Sequence, residues 1–274
     1  MNRLSVLIMV VSAGTIVLLV KYGLLRGIDH IANAMNWSAK ARGQVTGYAT
    51  SVPELVCLVS AGMAGVWEAG LWNIASSNII NAVLMSIAVL RYGQVRELFK
   101  LRFLDEILFA ALAIAVPIVL MQWGLDQQWV LVPALLSFFA FYRLIDKLFA
   151  HTAEPEHQDP KTSGNLPLGV ILGLTALIAI TVAGLFLGDA TAEVVAQMGI
   201  RPAIAGWILG FVTSIPELVT FFAVYAVSHR ECRLHELNDT QEALDNLTGS
   251  NMSNVGVVYP VGLLVFLLAS SFLS

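Results

Sequence analysis

Two glutamates in this 274-residue chain lie inside apolar stretches where a carboxylate is hard to tolerate. Glu54 ends the segment Thr50-Ser51-Val52-Pro53-Glu54, and Glu217 ends Thr213-Ser214-Ile215-Pro216-Glu217. A charge at the centre of a bilayer costs at least about 2.5–3.5 kcal/mol on insertion scales, so an intramembrane carboxylate is a functional group by default. One cation that neutralises both acids removes that cost. Ca2+ matches two carboxylates in charge and takes about 6–8 oxygen ligands.

The neighbouring residues supply oxygens. Proline lacks an N–H and its ring clashes with the preceding turn, so Pro53 and Pro216 should break their helices and free carbonyls around Ala49 and Val212. Free carbonyls at membrane depth persist only where they line a cavity or meet a ligand. Thr50 and Ser51 precede Glu54 by four and three residues and so share its helical face, as Thr213 and Ser214 do for Glu217. Downstream, Asn73, Ser77 and Asn81 recur every four residues as a polar stripe, and Asn246, Ser250 and Asn254 repeat it. All are hard oxygen donors, suited to Na+ or Ca2+ and not to a soft transition metal. Any single Ser, Thr or Asn in a membrane helix more often only bonds a neighbouring helix. The doubling favours an ion site.

That doubling is an internal repeat. Thr50–Val56 returns as Thr213–Val219 with six identities in seven, at an offset of 163 that also pairs Gly43 with Gly206 and Gly47 with Gly210. Asn73, Ser77, Asn78 and Asn81 return as Asn246, Ser250, Asn251 and Asn254 at an offset of 173. The second copy therefore holds ten extra residues between its blocks.

The elements that must hold these residues follow from composition. The chain is 57% hydrophobic and 12% charged, against about 25% charged in soluble domains. The apolar residues fall in blocks of about 20, the length that crosses a bilayer. Spans are expected near 4–25, 43–66, 70–90, 104–123, 129–149, 166–187, 202–228 and 247–271. The fold class is all-α and polytopic: a first repeat over 1–150, a cytoplasmic linker over 151–165 and a second repeat over 166–274. Five spans separate the two copies, so they enter the membrane from opposite sides. Inverted repeats of secondary transporters place the substrate site near the midplane, on discontinuous helices. The run after Arg3 resembles a signal peptide, but its pairing with the sixth span marks it as a membrane helix.

Alternating through eight spans puts 13 of the 15 Lys and Arg on one face and leaves Arg3 and Arg201 on the other. Positive loops face the cytoplasm, so both termini are expected outside it. Lys21, Arg143 and Lys147 read as snorkelling anchors near span ends. Cys57 and Cys232 are too few for a disulfide framework or metal cluster. A net charge of −4 without a basic, aromatic-interleaved patch indicates no nucleic-acid partner. The stretch 229–245, with Glu231, Glu236, Asp239, Glu242 and Asp245, lacks the spacing of an EF-hand loop and reads as a solvated connector with His229 and His235 exposed.

With these residues in place, the chain resembles the cation/Ca2+ exchanger superfamily, specifically its sodium/calcium exchangers of prokaryotic type. Their signature is G-T-S-x-P-E/D followed by G-N-x-x-G-S-N-x-x-N/D in each inverted repeat. The resemblance implies alternating access in a bacterial or archaeal inner or plasma membrane, with Ca2+, Na+ and membrane lipid as partners and no catalytic residue or cofactor. It implies that Glu54 and Glu217 bridge Ca2+ with the carbonyls of Thr50 and Thr213. Na+ would use Thr50, Ser51, Ser77, Thr213, Ser214 and Ser250 with the same carboxylates and carbonyls near Gly47 and Gly210. Asn81 and Asn254 would complete the cluster.

The departures are local. Ala49 and Val212 replace a Gly before each Thr-Ser pair, Trp72 and Asp245 replace the Gly before each second block, and Ser76 replaces a Gly that Gly249 retains. Asn254 is Asp in potassium-dependent relatives, which argues against K+ cotransport. The second block also lacks the Glu of cation/proton exchangers. The family pattern expects two further spans after the eighth. Ca2+/H+ antiport and a non-transporting Ca2+-binding membrane protein stand as alternatives, and monomer and homodimer are both open.

Overall fold

The computed structural model describes residues 3–148, 164–230 and 237–273, which are helical without a strand. Most of the linker 151–165, together with Glu231, Cys232, Arg233, His235 and Glu236, lies outside the described residues. Helix is what an apolar surrounding demands, because each backbone group must find its partner within its own segment.

Helix α1 (Arg3–Leu19) continues through a π turn (Val20–Leu24) into α2 (Leu25–Met35), which stops at Asn36 with φ 52°. Helix α3 (Ala39–Thr50) and α4 (Val52–Met63) are divided at Ser51. Next come α5 (Trp67–Arg91), the short α6 (Val95–Leu98), α7 (Leu104–Gln122) and α8 (Leu131–Leu148). The second half holds α9 (Leu166–Met198), then α10 (Pro202–Thr213) and α11 (Ile215–Arg230), which are divided at Ser214. Helix α12 (Leu237–Ser253) passes through a π turn (Asn254–Val258) into α13 (Tyr259–Leu273).

Among the described residues, six helical stretches are long and apolar enough to cross a membrane: 4–35, 67–91, 101–122, 166–197, 202–230 and 239–271. The two other expected spans are helical but more polar. Helix α8 carries Arg143, Asp146 and Lys147, and α3 opens with Lys40, Arg42 and Gln44. Large apolar side chains such as Leu7, Ile178, Phe186 and Phe211 point outward, as a lipid-facing surface requires.

Three helices outrun the apolar windows that announced them. The first continues to Met35 and α9 to Met198 because Gly27, Ile28 and Ala32 bury against α9 beyond the hydrophobic stretch. The last begins at Leu237, not at 247. There Asp239, Thr240, Gln241 and Asp245 are buried in α12, so the solvated-connector reading fails for 237–245. Hydropathy misses such a segment because its partners are polar groups and not lipid.

Apolar cores flank the break points. Ile16, Val20, Ile180 and Leu187 lock α1 to α9. Leu58, Trp67, Leu71 and Tyr259 join α4, α5 and α13 under α7 and α8. Between these cores α3 packs along α12 and α10 along α5.

Candidate cation site

Each glutamate opens a helix. Ser51 ends α3, Pro53 occupies the first turn of α4, and Glu54 follows it. The carbonyl of Ala49, which has no Pro53 N–H to accept, faces the N–H of Ser51, and that of Val212 faces the N–H of Ser214. Leu55 N–H to Ser51 O at 3.1 Å and Leu218 N–H to Ser214 O at 3.2 Å restart the two helices. The expected breaks are thus present at both prolines. They also place both carboxylates in a first helical turn, where the macrodipole favours negative charge.

Close helix approach brings the second blocks against the breaks. A Cβ on Gly47 would lie 2.5 Å from Asn246 O and 2.7 Å from Ser250 N. One on Gly210 would lie 2.9 Å from both Asn73 O and Ser77 N. Only glycine lets α12 and α5 come this near. Gly206 similarly leaves room for Trp72, so that bulky residue does not push α10 off α5.

Glu54 and Glu217 are fully buried and feel each other's charge. Ser77 Oγ donates to Glu54 Oε1 at 2.8 Å and lies 3.1 Å from Ser214 Oγ. Its repeat counterpart Ser250 donates to Glu217 Oε1 at 3.0 Å and lies 3.4 Å from Ser51 Oγ. Thr213 interacts with the Glu54 carboxylate, and Thr50 and Asn81 with that of Glu217. The hydroxyls of Thr50 and Ser51 also donate to Gly47 O, at 3.1 and 3.0 Å, and Thr213 donates to Gly210 O at 3.4 Å. Each carboxylate therefore rests on the serine of its own half, and that serine touches the Thr-Ser pair of the other half.

The asparagines form a ladder between α5 and α12. Asn81 Nδ2 donates to Asn251 Oδ1 at 3.3 Å and to Ser250 Oγ at 3.4 Å, while Asn254 Nδ2 donates to Asn78 Oδ1 at 2.9 Å. Asn78 Nδ2 reaches Ala113 O on α7 at 2.9 Å, and Asn251 Nδ2 reaches Asn78 O at 3.1 Å. Because the amide N–H groups of Asn81 and Asn254 are committed to protein, their oxygens are the atoms left over. Glu54 Oε2, Glu217 Oε2, Asn81 Oδ1 and Asn254 Oδ1 are all buried without a hydrogen-bond partner among the described residues. Unpartnered buried oxygens are costly unless something positive approaches them.

All twelve positions expected from the sequence thus come together: Glu54, Glu217, Thr50, Ser51, Ser77, Asn81, Thr213, Ser214, Ser250, Asn254 and the carbonyls of Gly47 and Gly210. Two contributors were missing from that set. Asn78 and Asn251 orient the amides of Asn254 and Asn81, and their recurrence at the 173 offset was the available signal. The π turn at Asn254 was not legible; such bulges are rare and cluster at functional positions.

The role given to Asn78 is open to a simple check. Asn78→Leu removes the anchor of Asn254, worth about 1–1.5 kcal/mol, and should weaken Ca2+ binding roughly tenfold in equilibrium dialysis. Unchanged affinity would remove Asn78 from the site.

The structure resembles three solved forms of the sodium-calcium exchanger NCX_Mj. One, soaked with 10 mM Na+ and zero Ca2+, shares 22% identity at TM-score 0.55 and covers 98% of this chain and 90% of its own. A second, soaked with 10 mM Na+ and 10 mM Sr2+, shares 22% at 0.53 over 100% and 90%. The third, soaked with 100 mM Na+ and 10 mM Sr2+, shares 20% at 0.53 over 98% and 90%. At such identity the likeness concerns the fold, which is that of an integral membrane protein. No curated protein matches the chain. A family model of sodium/calcium exchanger proteins matches residues 4–146 and 168–273, on both sides of the central linker. The chain belongs to the sodium/calcium exchanger protein family.

Proposed function

We propose that this protein exchanges Na+ for Ca2+ by alternating access at one carboxylate site shared by two inverted repeats. Four buried oxygens without protein partners carry this reading: Glu54 Oε2, Glu217 Oε2, Asn81 Oδ1 and Asn254 Oδ1. Ca2+ takes one oxygen from each glutamate, and two carboxylates balance its charge. The carbonyls of Thr50 and Thr213 assist Ca2+, and Na+ uses the same carboxylates with Thr50, Ser51, Ser77, Thr213, Ser214 and Ser250 and carbonyls near Gly47 and Gly210. Because both ions need the same two acids, neither is held while the other is bound, and that competition couples their fluxes. The α1–α2 and α9 helices slide together across the broken helices and open the site to one side at a time. Eight spans cross the membrane, and both termini lie outside the cytoplasm.

Three Na+ against one Ca2+ would move one net charge per cycle, worth about 2.3 kcal/mol per 100 mV. Proteoliposomes loaded with Na+ should accumulate 45Ca2+ from a Na+-free medium, faster when the interior is made positive, because three Na+ leaving against one Ca2+ entering carry one net positive charge outward. Uptake that follows a pH gradient and ignores Na+ would replace Na+ by H+ as the counter-ion. Uptake indifferent to membrane potential would rule out the electrogenic stoichiometry.

A further inference from the structure

A second group of acids lies near the first site and shares helix α12 with it. Glu106 opens α7, Asp146 sits in the last turn of α8 and Asp245 precedes Asn246 on α12. They are 4%, 6% and 0% exposed. One oxygen from each falls within 4.8 Å of the others, so a single ion with oxygen ligands at about 2.3–2.6 Å can reach all three. Along α12, Asp245 is five residues before Ser250, about 7.5 Å on an α-helix. The repeat counterpart of Asp245 is Trp72, so the other half of the protein offers no equivalent.

The cluster is held by cations and amides. Lys40 Nζ pairs with Asp146 Oδ1 at 2.5 Å, and Arg143 and the Gln44 amide reach Asp146 Oδ2 at 3.1 and 2.9 Å. Gln241 Nε2 donates to Asp245 Oδ2 at 2.6 Å and to Glu106 Oε1 at 3.3 Å, with Arg102 bonded to the Gln241 carbonyl oxygen at 3.3 Å. Two atoms remain: Glu106 Oε2 and Asp245 Oδ1 are buried without a hydrogen-bond partner among the described residues. Lys40 also interacts with the charges of Asp245 and Glu106, and its side chain is 20% exposed, so the ammonium can retreat towards water. Three carboxylates meet two directly paired cations, Lys40 and Arg143. One negative charge is left uncompensated, and buried acids in that state favour a further cation.

We propose that Glu106, Asp146 and Asp245 form a second divalent-cation site, separate from the glutamate pair, in which the Lys40 ammonium is a tethered competitor. A divalent ion displaces Lys40 and balances the three acids together with Arg143. This assignment does not depend on the ion served by Glu54 and Glu217.

The test is 45Ca2+ equilibrium dialysis on the full-length chain in detergent, in a Glu54→Gln/Glu217→Gln background that removes the first site. That background should retain Ca2+ binding, and adding Lys40→Met should tighten it about tenfold by removing the competitor. Adding Glu106→Gln with Asp245→Asn should abolish it. The gain with Lys40→Met is the decisive reading, because misfolding cannot produce it. If the acids only clamp α3 to α8 and α12, Lys40→Met lowers thermal stability and leaves Ca2+ binding unchanged, and that result overturns the proposal. Binding that persists after Glu106→Gln with Asp245→Asn also overturns it.

Discussion

Replacing Glu54 or Glu217 with glutamine should lower Na+-driven Ca2+ uptake by about two to three orders of magnitude, because losing one member of a buried charged set costs about 3–5 kcal/mol. The substitution keeps the size of the side chain and an oxygen able to accept from Ser77 or Ser250. What disappears is the charge that compensates the ion. The variants should fold, since each buries one fewer charge. In a thermal-stability assay the parent should melt higher as Ca2+ is added, because a ligand that binds only the folded state stabilises it. Both variants should show a smaller Ca2+-dependent shift, the remainder coming from the second acid cluster, while keeping a cooperative transition. A glutamine variant with parental uptake would mean that its carboxylate is structural.

The second large effect is expected at a residue whose side chain offers no ligand. Gly47→Val places carbon atoms against Asn246 O and Ser250 N, where even a Cβ would come within 2.5 and 2.7 Å. Both obstacles are backbone atoms of a packed helix and cannot rotate away. Helix α12 must shift by about 1 Å, and with it Ser250 and Asn254; a displacement of that size near reacting groups can cost about a hundredfold. Overpacking adds about 1–3 kcal/mol of destabilisation. Gly210→Val should behave alike at the other break, where Asn73 O and Ser77 N lie 2.9 Å from the new Cβ. Gly173→Ala is the control, since no atom lies within 4 Å of its Cβ position, and it should transport like the parent. Uptake within threefold of the parent for both valine variants would show that close helix contact does not set the site geometry.

The central site was legible because its parts are stated twice. Thr-Ser, Pro-Glu and the Asn stripe return at fixed offsets, and Pro acts on the backbone through local sterics that need no tertiary information. Helix ends were less legible. Asn36 ends α2 with a left-handed residue and Gly199 ends α9 likewise, both well past the apolar windows, because packing on a neighbouring helix carries a helix beyond the membrane. The Glu106–Asp146–Asp245 group was the clearest omission. Its members are 40 and 99 residues apart, two near helix ends and Asp245 inside α12 just ahead of the expected apolar span, and each looks like an ordinary charge outside the membrane until the helices assemble. Arg143, read as an interfacial anchor, instead binds Gln44 and Asp146. Charge at a helix end is ambiguous from sequence, since water and a buried partner explain it equally well.

The most direct measurement of the shared-cation idea is a long-wavelength anomalous difference map of crystals loaded with Ca2+. A peak is expected within about 2.3–2.6 Å of a carboxylate oxygen from both Glu54 and Glu217. A Ca2+ peak bound by only one of them, or no peak between α4 and α11, would contradict it.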